Sequence, residues 1–188
     1  MKRIIPFLLV LSVLLSGLTA FSESAAEPTP LPEMTVTSAA IVEGALSLPY
    51  GAKGEQFIKK NIPSLSPPLT ISNIPENTAA LAITVIDPDG GDWVHWLAVN
   101  IPVDGSICEI PENASLDWPK EVIQGKNDFG TLGYGGPTPP SGVHRYVFTV
   151  YALSEPLKLK AGFKLPAMKK LLKDKVLAEA TVIGTYAR

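Results

Sequence analysis

ALAITVIDPDGGDWVHWLAVNI, residues 80–101, is the most informative stretch of this sequence. Residues 80–86 form an apolar run of strand length, which is typical of a strand buried on both faces. Residues 87–91 consist of aspartate, proline and glycine, the residue types that favour a turn. Residues 94–101 have the pattern of a second strand. The stretch therefore predicts two core strands joined by a polar turn.

Further strands and turns are predicted on both sides of this stretch. Residues 145–153, rich in Tyr, Val, Phe and Thr, are the strongest strand pattern in the chain. Weaker strand patterns lie at residues 34–41 and from residue 46 onward, whereas the prolines of residues 61–69 indicate a loop or a sheet edge. Residues 127–142 form a long connection rich in glycine and proline. Many turns between short strands account for this composition.

One helix is predicted, over residues 165–180, because apolar side chains recur at helical spacing from Met168 to Val176. A short final strand is predicted at residues 181–186. Strands dominate and the helix is peripheral. The pattern therefore predicts a mainly all-β fold class, an antiparallel Greek-key β-sandwich with a peripheral C-terminal helix.

The N-terminus is typical of a secretory signal peptide, predicted over residues 1–26. Lys2 and Arg3 precede an apolar run, and small residues then allow cleavage after Ser22 or after Ala26. The alternative is an uncleaved membrane anchor, but a run of about a dozen residues is short of the roughly 20 that span a bilayer. Residues 27–33 read as a Pro-rich linker and 34–188 as one domain. We therefore expect an exported protein, periplasmic or secreted, with no stable membrane span after cleavage.

Composition excludes several classes of function. Charged residues make up 18 % and apolar residues 46 % of the chain, which excludes a disordered acidic protein and gives no support to nucleic-acid binding. Cleavage after Ala26 removes two basic residues and one acidic residue, so the 16 basic and 18 acidic residues become 14 and 17, a formal charge of −3.

The single Cys108 cannot form an intrachain disulfide. It is expected to be a small buried apolar residue, with a free reactive thiol as the alternative.

Candidate site residues lie where the strong strand patterns begin or end. The chain has two histidines, His95 and His144, and each opens a strand pattern, while Asp87 follows residues 80–86. Strand alternation predicts that His144, Tyr146 and Phe148 share one face, and that His95, Leu97 and Val99 share another. The glycines and prolines of residues 133–140 could bring backbone N–H groups close to an anion. Taken singly, histidines and aspartates at such positions more often have a structural role, and the glycine-proline segment is equally compatible with an ordinary surface loop.

Together these segments resemble the signatures of the phosphatidylethanolamine-binding family, in its bacterial Raf-kinase-inhibitor-like branch. The resemblance covers residues 64–188 in the order expected. The matching motifs are Asp87-Pro88-Asp89, Trp93-Val94-His95-Trp96, Asn127-Asp128-Phe129-Gly130, Gly133-Tyr134-Gly135-Gly136-Pro137, Gly142-Val143-His144-Arg145-Tyr146-Val147-Phe148 and the C-terminal tail from Val176. Departures include Gly90-Gly91-Asp92, where many relatives have proline, and Thr138, where bacterial relatives often have cysteine.

The resemblance implies a β-sandwich with a ligand pocket and no established catalytic activity. Such a pocket accepts phosphate-like or carboxylate groups, including phospholipid head groups, and needs no cofactor and no metal. The expected function is therefore non-catalytic binding of a small anionic ligand. The residues implied to bind it are Asp87, His95, Gly135, Gly136, Pro137, His144 and Tyr146.

The chemistry of these residues predicts how an anion would be held. Both imidazoles and the N–H groups of the loop could donate hydrogen bonds to its oxygens, while Asp87 accepts from an imidazole N–H. Because histidine titrates near neutral pH, affinity should weaken as the pH rises.

Two other classes of function stay open at this point. The first is an extracellular protein-interaction module, acting like a protease or kinase inhibitor, and paired strand edges would also allow a homodimer. The second is a hydrolase, since two histidines, one carboxylate and the nearby Ser141 could be imagined as a reactive set. The chain lacks both the Gly-x-Ser-x-Gly and the His-Glu-x-x-His motifs, so we expect no enzyme.

Overall fold

The two strands predicted from residues 80–101 form the centre of the fold. The computed structural model describes residues 32–188, and in it β7 (Ala80–Asp87) pairs antiparallel with β8 (Trp93–Ile101). All residues of β7 except Ile86 are buried, as its apolar sequence predicts. The predicted signal peptide and residues 27–31 of the predicted linker lie outside the described residues.

These strands belong to a seven-stranded sheet that curls into a half-barrel, in the order β10-β8-β7-β11-β12-β3-β2. All of its neighbouring strands are antiparallel except β12 and β3. The remaining strands of this sheet are β2 (Ile41–Val42), β3 (Ala45–Leu46), β10 (Ile123–Gln124), β11 (Val143–Leu153) and β12 (Val176–Ala187).

A smaller sheet shares its core with the larger one. It consists of three strands in the order β1-β6-β9, and a separate pair is formed by β4 and β5. Their bounds are β1 (Thr35–Thr37), β4 (Phe57–Ile58), β5 (Ile62–Pro63), β6 (Leu69–Ser72) and β9 (Ile107–Ile110). One buried apolar cluster joins Val36 and Ile71 of the smaller sheet to Ile83, Trp96 and Phe148 of the larger.

Helices are few and short. They are α1 (Ala114–Asp117), α2 (Leu165–Leu172) and the 3-10 turns Leu48–Tyr50 and Lys59–Asn61. Among residues 32–188, none of the helices has the length and apolar character needed to cross a bilayer. The prediction of a mainly β chain with few helices is confirmed, and the Greek-key sandwich stays a prediction.

The helix predicted over residues 165–180 is wrong in its second half. The helix α2 ends at Leu172, a turn follows in which Asp174 has a φ of 68°, and β12 then runs from Val176 to Ala187. In β12 the even-numbered residues from Ala178 onward are the more buried, which is the period of a strand. Because β12 pairs with β11 along nearly its whole length, this long-range pairing outweighs the local helical pattern.

Candidate functional site

His95 lies at a bulge between the two central strands. Ile86 pairs with Val94 and Val85 pairs with Trp96, so His95 is the extra residue of β8. A bulge interrupts the alternation of side chains and can aim one of them towards a site at the end of a sheet. The prediction that His95, Leu97 and Val99 share a face is therefore wrong. His95 lies against Tyr146 of the main apolar cluster, whereas Leu97 and Val99 pack in a second cluster with α2.

The ring of His95 is held in one tautomer. Its Nδ1 lies 2.5 Å from the carbonyl oxygen of Gly135, and because a carbonyl only accepts, Nδ1 carries the hydrogen. His95 is only 2 % exposed, and this burial lowers the pKa of the ring to about 4, against the opposing effects of the Gly135 hydrogen bond and the charge of Asp87. At neutral pH the ring is uncharged, so Nε2 accepts a hydrogen bond and does not donate one.

Asp87 lies at the end of β7 and connects the turn to His144. Its Oδ2 accepts a hydrogen bond from Nδ1 of His144 at 2.7 Å, and its Oδ1 accepts one from the backbone N–H of Gly90 at 2.8 Å. Both side chains are nearly buried. The carboxylate therefore fixes the orientation of the second imidazole and leaves its Nε2 free to meet a ligand.

Asp89, in the same turn, is bound to Arg145. It accepts hydrogen bonds from the Arg145 backbone N–H at 2.8 Å, from Nε at 3.0 Å and from Nη2 at 2.7 Å. These hydrogen bonds hold the pKa of the Asp89 carboxyl well below its ordinary value. The pair ties the turn after β7 to the start of β11, which brings Asp87 and His144 together.

Tyr146 is the most deeply placed of the predicted residues. It is fully buried, and its hydroxyl makes no hydrogen bond of regular geometry among residues 32–188, although the Asp87 carboxylate lies near it. Burial, followed by the negative charge of Asp87 and a hydrogen-bonding contact with that carboxylate, raises the pKa of Tyr146 well above its usual value, so the hydroxyl keeps its hydrogen. A buried hydroxyl without a partner is uncommon and calls for an explanation, such as a group that the site is built to receive.

These residues surround a cavity of about 590 Å³. Aromatic rings in edge-to-face contact form one wall, from Trp93 to Phe129 to His95 to Tyr146, with centroids 5.0 to 5.5 Å apart. The lining residues are Asp87, Asp89, Gly90, Trp93, His95, Phe129, Thr138, Pro139, Pro140, Ser141, His144 and Tyr146. The cavity therefore combines an apolar wall with a few convergent polar groups, as ligand sites commonly do.

Residues 133–137, which we call the arch, pass behind His95. The backbone N–H of Gly135 donates to the His95 carbonyl at 2.9 Å, and that of Gly136 donates to the Pro63 carbonyl at 2.8 Å. A Cβ atom on Gly136 would lie 2.3 Å from the carbonyl oxygen of Tyr50, so glycine is required there by close packing.

The structure brings together Asp87, His95, His144 and Tyr146 and does not bring the arch to the cavity. Gly135, Gly136 and Pro137 are buried and are absent from its lining, and the N–H groups of Gly135 and Gly136 are already bonded to backbone carbonyls. Ligand contact stays a prediction for the four lining residues. His144, Tyr146 and Phe148 do share a face, as alternation predicts, since β11 is regular there.

Sequence reasoning missed several lining residues. Phe129 reaches the cavity because the preceding Asp128 accepts a hydrogen bond from the Val94 N–H at 2.8 Å, which ties this turn to β8. Residues 138–141 line the cavity beyond the arch. The dense proline and glycine of residues 133–142 indicated an ordered loop, but no periodic pattern there says which side chains face inward.

Comparisons with known proteins agree with this arrangement. The sequence model of a family described as phosphatidylethanolamine-binding protein matches residues 37–187, which is most of the chain. Over 129 residues the chain is 43 % identical to UPF0098 proteins of Pyrococcus horikoshii and Methanothermobacter thermautotrophicus. Each match spans 66 % of this chain, and they span 65 % and 84 % of those two proteins.

A solved structure has the same fold. The crystal structure of Escherichia coli YbcL, described as a new member of the mammalian PEBP family, superposes with a TM-score of 0.71 at 33 % identity. The superposition covers 84 % of this chain and 99 % of that one.

Proposed function

Because the chain belongs to the phosphatidylethanolamine-binding protein family, we propose that its cavity binds small phosphate- or carboxylate-bearing molecules, phospholipid head groups included, without transforming them. The observation that carries this proposal is the Tyr146 hydroxyl, a buried donor on a side chain that lines the cavity, which makes no regular hydrogen bond among residues 32–188. The free Nε2 of His144 adds a second donor whenever that ring is protonated.

The absence of turnover is supported by how the acidic groups are used. Both oxygens of Asp87 already accept hydrogen bonds, and Asp89 is bound to Arg145 at three points. Ser141 lines the cavity but makes no hydrogen bond to His144 among the described residues. A serine nucleophile would need that contact to pass its proton to the imidazole.

A titration with phosphate and with phosphoethanolamine tests binding. We expect the ring signals of His95 and His144 to shift in NMR spectra at millimolar ligand, since sites of this kind are weak. The Tyr146→Phe variant should bind at least about fivefold less tightly, because it lacks the free donor. Tyr151→Phe is the matched control, since Tyr151 lies on the same strand but outside the cavity lining. No shift at either ring would overturn the proposal.

Turnover is tested separately with phosphate and carboxylate esters. We expect no hydrolysis above that of a His144→Ala variant. A rate that this substitution abolishes would show that the protein is a hydrolase.

The proposal also covers location and the finer architecture. We propose that the chain is exported to the periplasm or secreted, as its N-terminal sequence predicts. N-terminal sequencing of the exported chain should find Glu23 or Glu27 first.

We also propose that the two sheets pack as a Greek-key sandwich, supported by the apolar cluster that they share, and a crystal structure would test this.

A further inference from the structure

The deep end of the cavity offers hydrogen-bond acceptors as well as a donor. Three side chains lie there nearly or wholly out of solvent: Asp87, His95 and Tyr146. Tyr146 carries an O–H that makes no regular hydrogen bond among residues 32–188, with the Asp87 carboxylate near it. Asp87 is acceptor-only as a carboxylate, and His95 has already used its hydrogen on Gly135. His95 therefore needs a ligand that itself carries a hydrogen, and Asp87 cannot donate to one.

The tautomer of His95 is set by geometry on the arch. The carbonyl of Gly135 is fixed because the N–H of the same residue donates to the His95 carbonyl. Two hydrogen bonds between His95 and Gly135 therefore join β8 to the arch. With Nδ1–H directed at the arch, Nε2 lies on the opposite edge of the ring, and it has no partner among residues 32–188. A buried acceptor left without a hydrogen weakens the binding of any ligand that cannot supply one.

The charged groups around His95 do not change this conclusion. Asp87 on β7 and Asp128 beside β8 favour the protonated ring, His144 on β11 opposes it, and Tyr146 keeps its hydrogen. Burial has a larger effect than these charges, and it keeps the ring neutral above a pH of about 4. In the free protein His95 is therefore a neutral acceptor at about pH 6, where phosphate groups exchange their second proton.

Near the mouth of the cavity, the hydroxyl groups do not offset the unpaired acceptor of His95. The Thr138 hydroxyl donates to the Gly136 carbonyl at 3.1 Å, so its oxygen faces other groups as an acceptor. Ser141 can rotate to donate or to accept. Asp89 is satisfied by Arg145.

We propose, building on the proposed function, that the cavity selects phosphate groups that still carry a proton over fully ionised oxyanions of the same shape. The P–O–H hydrogen donates to Nε2 of His95, and another phosphate oxygen accepts from the Tyr146 hydroxyl. Sulfate has the same tetrahedral shape but carries no proton near neutral pH. It would place oxygen lone pairs against the lone pair of His95 and against the Asp87 carboxylate.

The test compares phosphate with sulfate on the full chain at about pH 5.5, below the second pKa of a phosphomonoester, about 6. We expect phosphate to bind at least about tenfold more tightly than sulfate, the effect of one acceptor left unpaired. Methyl phosphate and dimethyl phosphate provide a pair nearly matched in charge at this pH, since both are mainly monoanions and only the first has an O–H. We expect methyl phosphate to bind more tightly.

His95→Asn is the matched variant. The amide of asparagine can replace Nδ1–H as the donor to Gly135, while the ring edge that carries Nε2 is removed. We expect the preference for phosphate over sulfate to fall towards unity in this variant. If it does not fold, the comparison between anions on the unaltered chain still decides the question.

The outcomes separate this inference from the proposed function. Sulfate that binds as tightly as phosphate would overturn the selection of protonated ligands but leave anion binding in place. If neither anion moves the signal of either histidine ring, both proposals fail. A phosphate preference that His95→Asn abolishes supports them both.

Discussion

The arch and the cavity in front of it each contain a buried tyrosine, but the polar groups of the two regions are bonded differently. In the arch, the N–H groups of residues 133–136 all have protein acceptors, and the Tyr134 hydroxyl donates to the Tyr50 carbonyl at 2.8 Å. Across the cavity, the equally buried hydroxyl of Tyr146 has no partner among residues 32–188.

The difference separates the polar groups that stabilise the fold from those that the proposed function assigns to a ligand. Satisfied buried groups hold a fold together, whereas an unsatisfied one destabilises the free protein until a ligand supplies its partner. His95 belongs to both regions, since Nδ1 bonds to the arch and its other edge faces the cavity. Substitutions in the arch should therefore lower stability, and substitutions in the lining should lower affinity.

The largest effect is expected for Gly136→Ala. The new Cβ would lie 2.3 Å from the Tyr50 carbonyl oxygen and 2.9 Å from Pro63 Cβ, and backbone atoms cannot move aside as a flexible side chain can. We expect the free energy of unfolding to fall by about 3 kcal/mol or more. Denaturant unfolding measures it.

Gly105→Ala is the control for this change. Gly105 has a φ of 87° but no atom within 4 Å of a new Cβ, so only backbone strain of about 1 kcal/mol is expected. Equal losses in the two variants would mean that the arch is not closely packed.

The second effect is the pH dependence caused by His95. Its pKa is about 4 in the folded protein and about 6.5 in the unfolded chain, so below pH 6.5 the unfolded state binds a proton that the folded state does not. The contribution of the neutral His95 ring to stability is therefore fully present above about pH 6.5 and is lost as the pH falls towards 4. Between about pH 7.5 and 4.5 we expect a loss of about 2 kcal/mol from this residue.

His95→Asn isolates that loss from the titration of other groups. Unfolding curves at both pH values should show a smaller decrease for the variant than for the unaltered chain. If the free energy of unfolding decreases equally in the two proteins, His95 is not a buried neutral ring. The assignment of His95 to both the arch and the cavity would then be wrong.

Residues 80–101 illustrate how far sequence alone predicts this protein. The apolar run, the turn residues and the next strand pattern are local signals, and β7 and β8 lie where those signals place them. The bulge at His95 leaves no such signal, because it depends on how Val85 and Ile86 pair across the strands. The same applies to β12, whose pairing with β11 outweighs a helical pattern at its start.

The candidate site was predictable to a similar degree. The family resemblance leads to Asp87, His95, His144 and Tyr146, four of the polar residues that line the cavity, since these lie in its motifs. It does not distinguish residues that line the cavity from residues that hold those side chains in place. It therefore implies ligand contact for Gly135, Gly136 and Pro137, although these lie behind His95. That distinction requires knowing which N–H groups already have partners, and only the folded chain provides this.

A third effect, of intermediate size, is expected for Tyr134→Phe. The substitution removes the hydroxyl that donates to the Tyr50 carbonyl and leaves that acceptor unpaired in a wholly buried place. We expect a loss of about 1.5 kcal/mol in the free energy of unfolding, with phosphate affinity changed less than about twofold. A large loss of affinity without a loss of stability would place Tyr134 in the ligand site instead.

The smallest change in stability, and the one that separates the two regions most directly, is expected for Tyr146→Phe. This variant loses the same atom as Tyr134→Phe from an equally buried ring, but the lost hydroxyl has no partner among the described residues. The unpaired hydroxyl is destabilising in the free protein, so its removal should change the free energy of unfolding by less than about 0.5 kcal/mol, in the stabilising direction. Added phosphate should then raise the melting temperature of the unaltered chain more than that of the variant, because only ligand that binds the folded state stabilises it. A marked destabilisation by Tyr146→Phe in the absence of ligand would mean that this hydroxyl has a structural partner and is not kept for a ligand.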